Sequence, residues 1–191
     1  MATSPNGSEP SRTRLWVVAI WLARALLSVG VSGLTLSIAG WAVHCRFNAS
    51  DSLPIGLYRV VSPSLARGSL VLACLPRSVA RLARQRGYVH RGSCPGGDTP
   101  IGKRVLAVAG DTVAVSVRGL TVNGRYVPGS VPLTHDARGR ALLSATPARS
   151  IVLGGTVWLF SNHSPRSYDS RYFGAVSVRS VVGGLRVVAT R

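Results

Sequence analysis

The feature that most constrains this chain is an almost unbroken apolar run from Leu15 to Cys45, interrupted by Arg24. Its charge-free part, Ala25 to Val43, is long enough to cross a bilayer as a helix, which takes about 20 apolar residues. A helix satisfies its own backbone hydrogen bonds, so it survives in lipid where an open strand does not. Arg24 ends the charge-free part and can snorkel to the headgroups, while Trp41 falls near the opposite interface. Arg12, Arg14 and Arg24 precede the span, so the positive-inside rule puts the N-terminus in the cytoplasm, against a smaller pull from Arg46 and Arg59. A cleavable leader is the competing reading, with small residues at Ser37-Ile38-Ala39. That cut would fall inside an apolar run longer than a leader's core. Cys45 invites a lipid-modification reading, but His44 before it is too bulky. The expected organisation is a disordered cytoplasmic tail over 1–14, a membrane anchor over 15–45 and an exterior domain over 46–191.

Beyond the anchor the texture changes to short β-rich runs separated by Gly, Pro and Asn. Strands are expected over Gly56–Val61, Ser69–Leu75, Lys103–Val108, Thr112–Val117, Thr156–Phe160, Ala175–Val182 and Leu185–Ala189. Asn123-Gly124 between Leu120-Thr121-Val122 and Arg125-Tyr126-Val127 is the strongest short hairpin signal a sequence offers. Residues Arg77 to Arg86 suit a short basic helix, and 131–150 read as irregular. The fold class is therefore mainly β and antiparallel, behind one transmembrane helix.

Twenty-three basic residues face six acidic ones, a net charge of +17. Such a surface favours anionic lipid headgroups or nucleic acid. Only one of those 23 basic residues is a lysine, Lys103. Arginine keeps its proton in proteins, whereas a desolvated lysine can lose its own near neutral pH. An accident of codon usage would leave the same trace. Of the three cysteines, Cys74 and Cys94 flank the basic helix. In an exterior domain they would either remain thiols or close a loop worth about 3 kcal/mol, and we expect the crosslink. No His/Cys spacing suits zinc, and no cofactor is expected.

Three segments carry candidate chemistry. Asn48-Ala49-Ser50-Asp51-Ser52-Leu53-Pro54-Ile55-Gly56-Leu57-Tyr58 places serines on a Pro/Gly turn just past the anchor, where a hydroxyl can face a cleft. In Gly102-Lys103-Arg104-Val105-Leu106-Ala107-Val108-Ala109-Gly110-Asp111 the lysine opens an apolar strand, which disfavours its charged form. A neutral lysine amine can replace histidine as the base for a serine nucleophile. In Ser167-Tyr168-Asp169-Ser170-Arg171-Tyr172-Phe173-Gly174, Asp169 and Arg171 are close enough to brace a turn, and Ser167 or Ser170 is placed to orient the base. Each segment alone has a bland reading: a linker, a strand-edge lysine, a polar loop.

Together, in this order, they resemble the three boxes of the type I signal peptidase superfamily. The form Ser-x-Pro-x-Gly-Leu-Tyr is most similar to the conjugative-transfer branch, the TraF-type pilin-maturation peptidases. The resemblance covers the anchor and the whole exterior domain. It implies a signal-peptidase-like β domain, Ser52 as nucleophile, Lys103 as general base, Ser167 as its orienting partner, and Asp169 and Arg171 as braces. By position Ser50 would lend its hydroxyl to the oxyanion hole. The implied partner is a membrane-inserted, pilin-like precursor, cleaved and in some members cyclised, at the periplasmic side of the inner membrane. Leu53 directly before Pro54, Ala109 before Gly110-Asp111 and Ser161-Asn162-His163 depart from the housekeeping pattern, and so count against a general secretory role.

Three other readings compete, and a cytoplasmic self-cleaving repressor of related serine-lysine chemistry fails because a hydrophobic anchor stands where its DNA-binding domain would be. A membrane-tethered nucleic-acid-binding protein would use Arg77, Arg81, Arg84, Arg86 and Arg91, but these lack interleaved aromatics or a reading helix, so no specific nucleic acid is expected. A housekeeping signal peptidase shares the chemistry and differs in substrate range.

Overall fold

The computed structural model describes residues 11–42, 45–50, 52–144 and 149–191, and the side chains of 11–15 and 41–42 lie outside the description. The expected tail therefore falls, through residue 10, outside the described residues, as does the side chain of Trp41. The chain divides into two compact units, 1–43 and 44–191.

The first unit is helix α1, Ser11–Ala42, which begins four residues ahead of the expected anchor boundary. Its segment Trp16–Gly40 has a mean hydropathy of 1.9 over 25 residues, long and apolar enough to cross a membrane. Apolar side chains are exposed all round it, from Trp16 to Leu36 and Ile38, the pattern of a helix that needs an apolar solvent. Its hydroxyls are bonded back to its own carbonyls: Ser28 Oγ to Ala25 O at 2.8 Å, Thr35 Oγ1 to Val31 O at 3.0 Å and Ser37 Oγ to Gly33 O at 2.8 Å. Such internal pairing lowers the cost of carrying them into lipid.

The second unit is mainly antiparallel β. Its strands are β1 Cys45–Asn48, β2 Gly56–Val61, β3 Leu70–Ala73, β4 Ile101–Ala107, β5 Thr112–Ser116, β6 Gly119–Val122, β7 Arg125–Tyr126, β8 Arg149–Ile151, β9 Thr156–Phe160, β10 Val176–Ser177 and β11 Val181–Thr190. Helices α2, Arg77–Gln85, and α3, Ser170–Phe173, complete it. One sheet runs β1-β2-β11-β3-β4-β9-β10 and a smaller one β7-β6-β5-β8. Asn123 and Gly124 both take positive φ, 52° and 78°, as the hairpin turn between β6 and β7 requires.

One difference from the expected elements has a local cause. The predicted strand over Ala175–Val182 is broken by a 3-10 turn at Val178–Ser180, where the Ser177 hydroxyl accepts from Arg179 N at 3.2 Å. A capping serine thus competes with the ladder. The irregular middle holds β8, which pairs with β5.

The larger sheet's core comprises Val71, Ala73, Leu75, Val105, Val157, Leu159 and Val176 with Ala80 and Ala83 of α2. A second cluster under the smaller sheet contains Val113, Leu120, Trp158 and Phe160. Asp111, in the Gly-Asp turn after β4, joins the sheets. It accepts from Val108 N and Asn123 Nδ2 at 2.9 and 2.8 Å and is paired with Arg67. Cys74 is disulfide-bonded to Cys94, closing a 20-residue separation that contains α2.

Candidate active site

Strand alternation explains the site. Along β4, Lys103, Val105 and Ala107 point to the same buried face, at 1%, 1% and 0% exposure, while Arg104 points outward. The one lysine of the chain is thus forced into the core, and it is the third residue of its strand rather than the first. Burial pushes its pKa from 10.5 down to about 8; the Asp169 charge opposes that shift and Arg171 adds to it.

Two hydroxyls meet the Lys103 amine. Nζ lies 2.5 Å from Ser52 Oγ and 2.7 Å from Ser167 Oγ, and donates to both when protonated. Ser52 arrives from the turn between β1 and β2, 51 positions away. Gly102 makes room for that turn, because a Cβ there would stand 2.9 Å from Leu53 Cδ1. Leu53 is 4% exposed and packs where that Cβ would be, which seats the preceding serine beside Lys103.

The turn is held by residues that sequence reasoning did not single out. Asn48 Nδ2 donates to the carbonyls of Ser50, Leu53 and Pro54 at 3.0, 2.9 and 3.2 Å. Tyr58 donates its hydroxyl to Pro54 O at 2.7 Å, and the Ser161 hydroxyl donates to the carbonyl of Ser52. The usable signal for Asn48 was its type and place: an Asn just ahead of a Ser-rich turn readily bonds the backbone that follows it. Ser50, which lines the same cleft, donates its hydroxyl to Asn48 Oδ1 at 2.7 Å.

The third box supplies the floor. Asp169 and Arg171 are fully buried and doubly bonded, Nε to Oδ1 at 2.8 Å and Nη2 to Oδ2 at 2.9 Å. Arg171 also donates to Ser167 O at 2.9 Å and to Val131 O at 3.1 Å, and its guanidinium lies 5.1 Å from the Phe160 ring centre. Asp169 caps α3 through Arg171 N at 3.2 Å and accepts from Ser161 N at 3.3 Å. One buried pair therefore fixes both Ser167, which touches Lys103, and Ser161, which holds Ser52. Ser170 has a different task, its Oγ accepting from Leu159 N of β9 at 2.9 Å.

A cleft of about 270 Å³ opens beside Ser52, Lys103 and Ser167, with Tyr88, Ile101 and Tyr168 among its walls. A hydroxyl and a desolvated amine in contact at its edge can generate a nucleophile and store its proton. Among the described residues, no histidine lines it.

Comparison with known proteins gives the family. The family model described as signal peptidase, peptidase S26, matches residues 14–190. A plasmid transfer protein TraF from Escherichia coli is 38% identical over 171 residues, covering 88% of this chain and 96% of its own. A probable conjugal transfer protein TraF from Sinorhizobium fredii is 40% identical over 173 residues, covering 86% and 89%. A solved signal peptidase I from Enterococcus faecalis aligns with 66% of this chain and 99% of its own at 23% identity and a TM-score of 0.39.

Proposed function

Because the chain belongs to the signal peptidase family, peptidase S26, we propose that it is a membrane-bound serine endopeptidase working through a Ser52/Lys103 dyad. The observation that carries this reading is the 2.5 Å approach of Lys103 Nζ to Ser52 Oγ, made by an amine only 1% exposed. In the reactive state the amine is neutral and Ser52 donates its proton to it. Oγ attacks the scissile carbonyl carbon, and the oxyanion is received by Ser52 N–H and by the Ser50 hydroxyl, released from Asn48. Collapse breaks the C–N bond, and the leaving amine takes the proton from the Lys103 ammonium. A second nucleophile then attacks the ester carbon and gives its proton to Lys103; the C–O bond to Ser52 breaks, and the Lys103 ammonium returns that proton to Ser52 Oγ. Asp169 and Arg171 act as braces.

The substrate is a membrane-inserted precursor of the pilin type, a reading supported by the TraF relatives named above. An extended segment adds its backbone alongside the Ser52 turn and offers small side chains ahead of the cut. The second nucleophile is either water, giving a linear product, or the precursor's own amino terminus, giving a cyclic one. Intact-mass spectrometry separates them, since the cyclic product is lighter by one water. Cleavage of a broad panel of secretory precursors with pilin left untouched would contradict the conjugative assignment and leave the dyad standing.

α1 spans the inner membrane once and the 44–191 unit works on the periplasmic face. A reporter fused after Arg191 is expected to be active only if it functions outside the cytoplasm; activity of a cytoplasm-only reporter there overturns the topology. The described carboxylates, Asp98, Asp111, Asp136 and Asp169, are all turned inward, with side chains 0–7% exposed. The exposed charge is therefore mostly basic, and a net charge of +17 suits a face toward anionic lipid.

A further inference from the structure

We propose that Asp136 is a positioning residue for substrate selection: its carboxylate latches residues 131–144 onto a row of tyrosines and so holds rigid one wall of the cleft beside Ser52. The inference rests on the peptidase reading above and goes beyond it, to what the enzyme discriminates.

Leu133, Ala137 and Leu142 of this segment line the cleft that also contains Ser52 and Lys103. The segment closes its own turn through backbone bonds, Asp136 N to Arg140 O at 2.9 Å, Gly139 N to Asp136 O at 3.0 Å and Leu142 N to Thr134 O at 2.8 Å. What ties that turn to the rest of the wall is side chains, above all Asp136. Oδ1 accepts from Arg138 N and Arg140 N, both at 2.9 Å; Oδ2 accepts from the Tyr88 hydroxyl at 2.6 Å and Arg140 Nε at 2.7 Å. Four donors occupy both oxygens, so this carboxylate is spent on the fold and is not a receptor for a substrate cation.

The latch is reciprocal. Arg140 Nη2 donates to Arg86 O at 2.9 Å, and Arg86 Nη1 returns a bond to Ala141 O at 2.7 Å. Tyr88, Tyr168 and Tyr172 stand in a row, with ring centres 4.9 and 5.6 Å apart. The segment is tied to one end of that row by Asp136 and to the other by Leu133 N, which donates to the Tyr172 hydroxyl at 2.9 Å. Its outer ends both reach Arg171, through Val131 O at 3.1 Å and Ser144 Oγ at 2.8 Å. The wall is thus coupled to the brace beneath Lys103.

In an extended substrate alternate side chains face the same way, so the residues one and three before the cut meet the same wall. A rigid apolar wall separates side chains that differ by a methylene by roughly 10–200-fold, and a yielding one gives that up. Loosening the latch should therefore change selection more than chemistry.

The test compares the full chain in vesicles with Asp136→Asn and with Arg140→Gln, whose side chain does not line the cleft. Two pilin-type precursors are used, with alanine or leucine immediately before the cut. Cleavage of the alanine precursor by the wild-type enzyme establishes the peptidase reading before any ratio is compared. In both variants the alanine-to-leucine ratio of kcat/KM is expected to fall by about tenfold or more. The midpoint of the pH profile should stay where it is. Amide exchange at Leu133, Arg138 and Arg140 should quicken while Val105 and Leu159 in the sheet stay protected. An unchanged ratio with quickened exchange overturns the proposal, as does an equal loss on both precursors. If Asp136→Asn exposes the sheet amides as well, Arg140→Gln decides by the same ratio.

Discussion

Replacing Lys103 with methionine is expected to do two opposite things: to abolish turnover and to stabilise the fold. The loss of activity should reach about four orders of magnitude, the scale seen when a member of a nucleophile–base pair is removed, and Ser52→Ala should match it. The gain in stability follows from the depressed pKa. In the unfolded chain the lysine titrates near 10.5, in the fold at about 8. Between those values the unfolded state binds more protons, so stability rises as pH climbs from 8 to 10.5 and the full cost of burying the charge applies below 8. That cost is about 3 kcal/mol, from roughly 1.4 kcal/mol per pKa unit. Tyr58, Tyr88, Tyr168 and Tyr172 have pKa values raised by burial, and their ionisation opposes folding at high pH. The quantity to measure is therefore the difference between wild type and Lys103→Met in urea unfolding, at pH 7 and at pH 10.5. It should be largest at pH 7 and should shrink toward pH 10.5.

The second large effect concerns the buried pair. Arg171→Leu leaves the Asp169 carboxylate at 0% exposure without its main partner, and breaking such a pair costs about 3–5 kcal/mol. For a domain of this size that lowers Tm by about 10 °C. The paired change Asp169→Asn with Arg171→Leu should recover part of the loss, because no lone charge remains. The same variants move the base in opposite directions. The Asp169 charge raises the Lys103 pKa and Arg171 lowers it. Arg171→Leu should thus carry the midpoint of the activity profile above pH 8, and Asp169→Asn should carry it below. Parallel shifts would show that the pair does not act on Lys103 through its charge.

What the sequence made legible follows the range of the interactions. The β6–β7 turn was readable because Asn123-Gly124 determines it locally. The burial of Lys103 was readable in part, since its apolar i+2 and i+4 neighbours, Val105 and Ala107, mark which face the lysine must share. The order of the three boxes pointed to Ser52, Lys103 and Ser167, and these come into contact. Strand β1 was overlooked because four residues abutting an apolar anchor carry too little alternation to stand out. Residues 131–150 read as irregular, and the turn within them is placed by distant partners such as Tyr88, 48 positions from Asp136, and Tyr172, 39 from Leu133. No local pattern encodes such pairings. Asn48 lies between, recognisable as a turn former yet silent about which carbonyls it would hold.

The central claim is that Ser52 is acylated with neutral Lys103 as the base. The most direct measurement is the rate of acyl-enzyme formation on Ser52 as a function of pH, followed by mass spectrometry of the quenched enzyme during single turnover of a pilin-type precursor. At pH 7 about a tenth of the Lys103 amine is free, so the rate should rise nearly tenfold per pH unit below 7, more slowly through 8, and level off above it. A rate that is already flat by pH 7, or an acyl group found on a residue other than Ser52, would contradict the account.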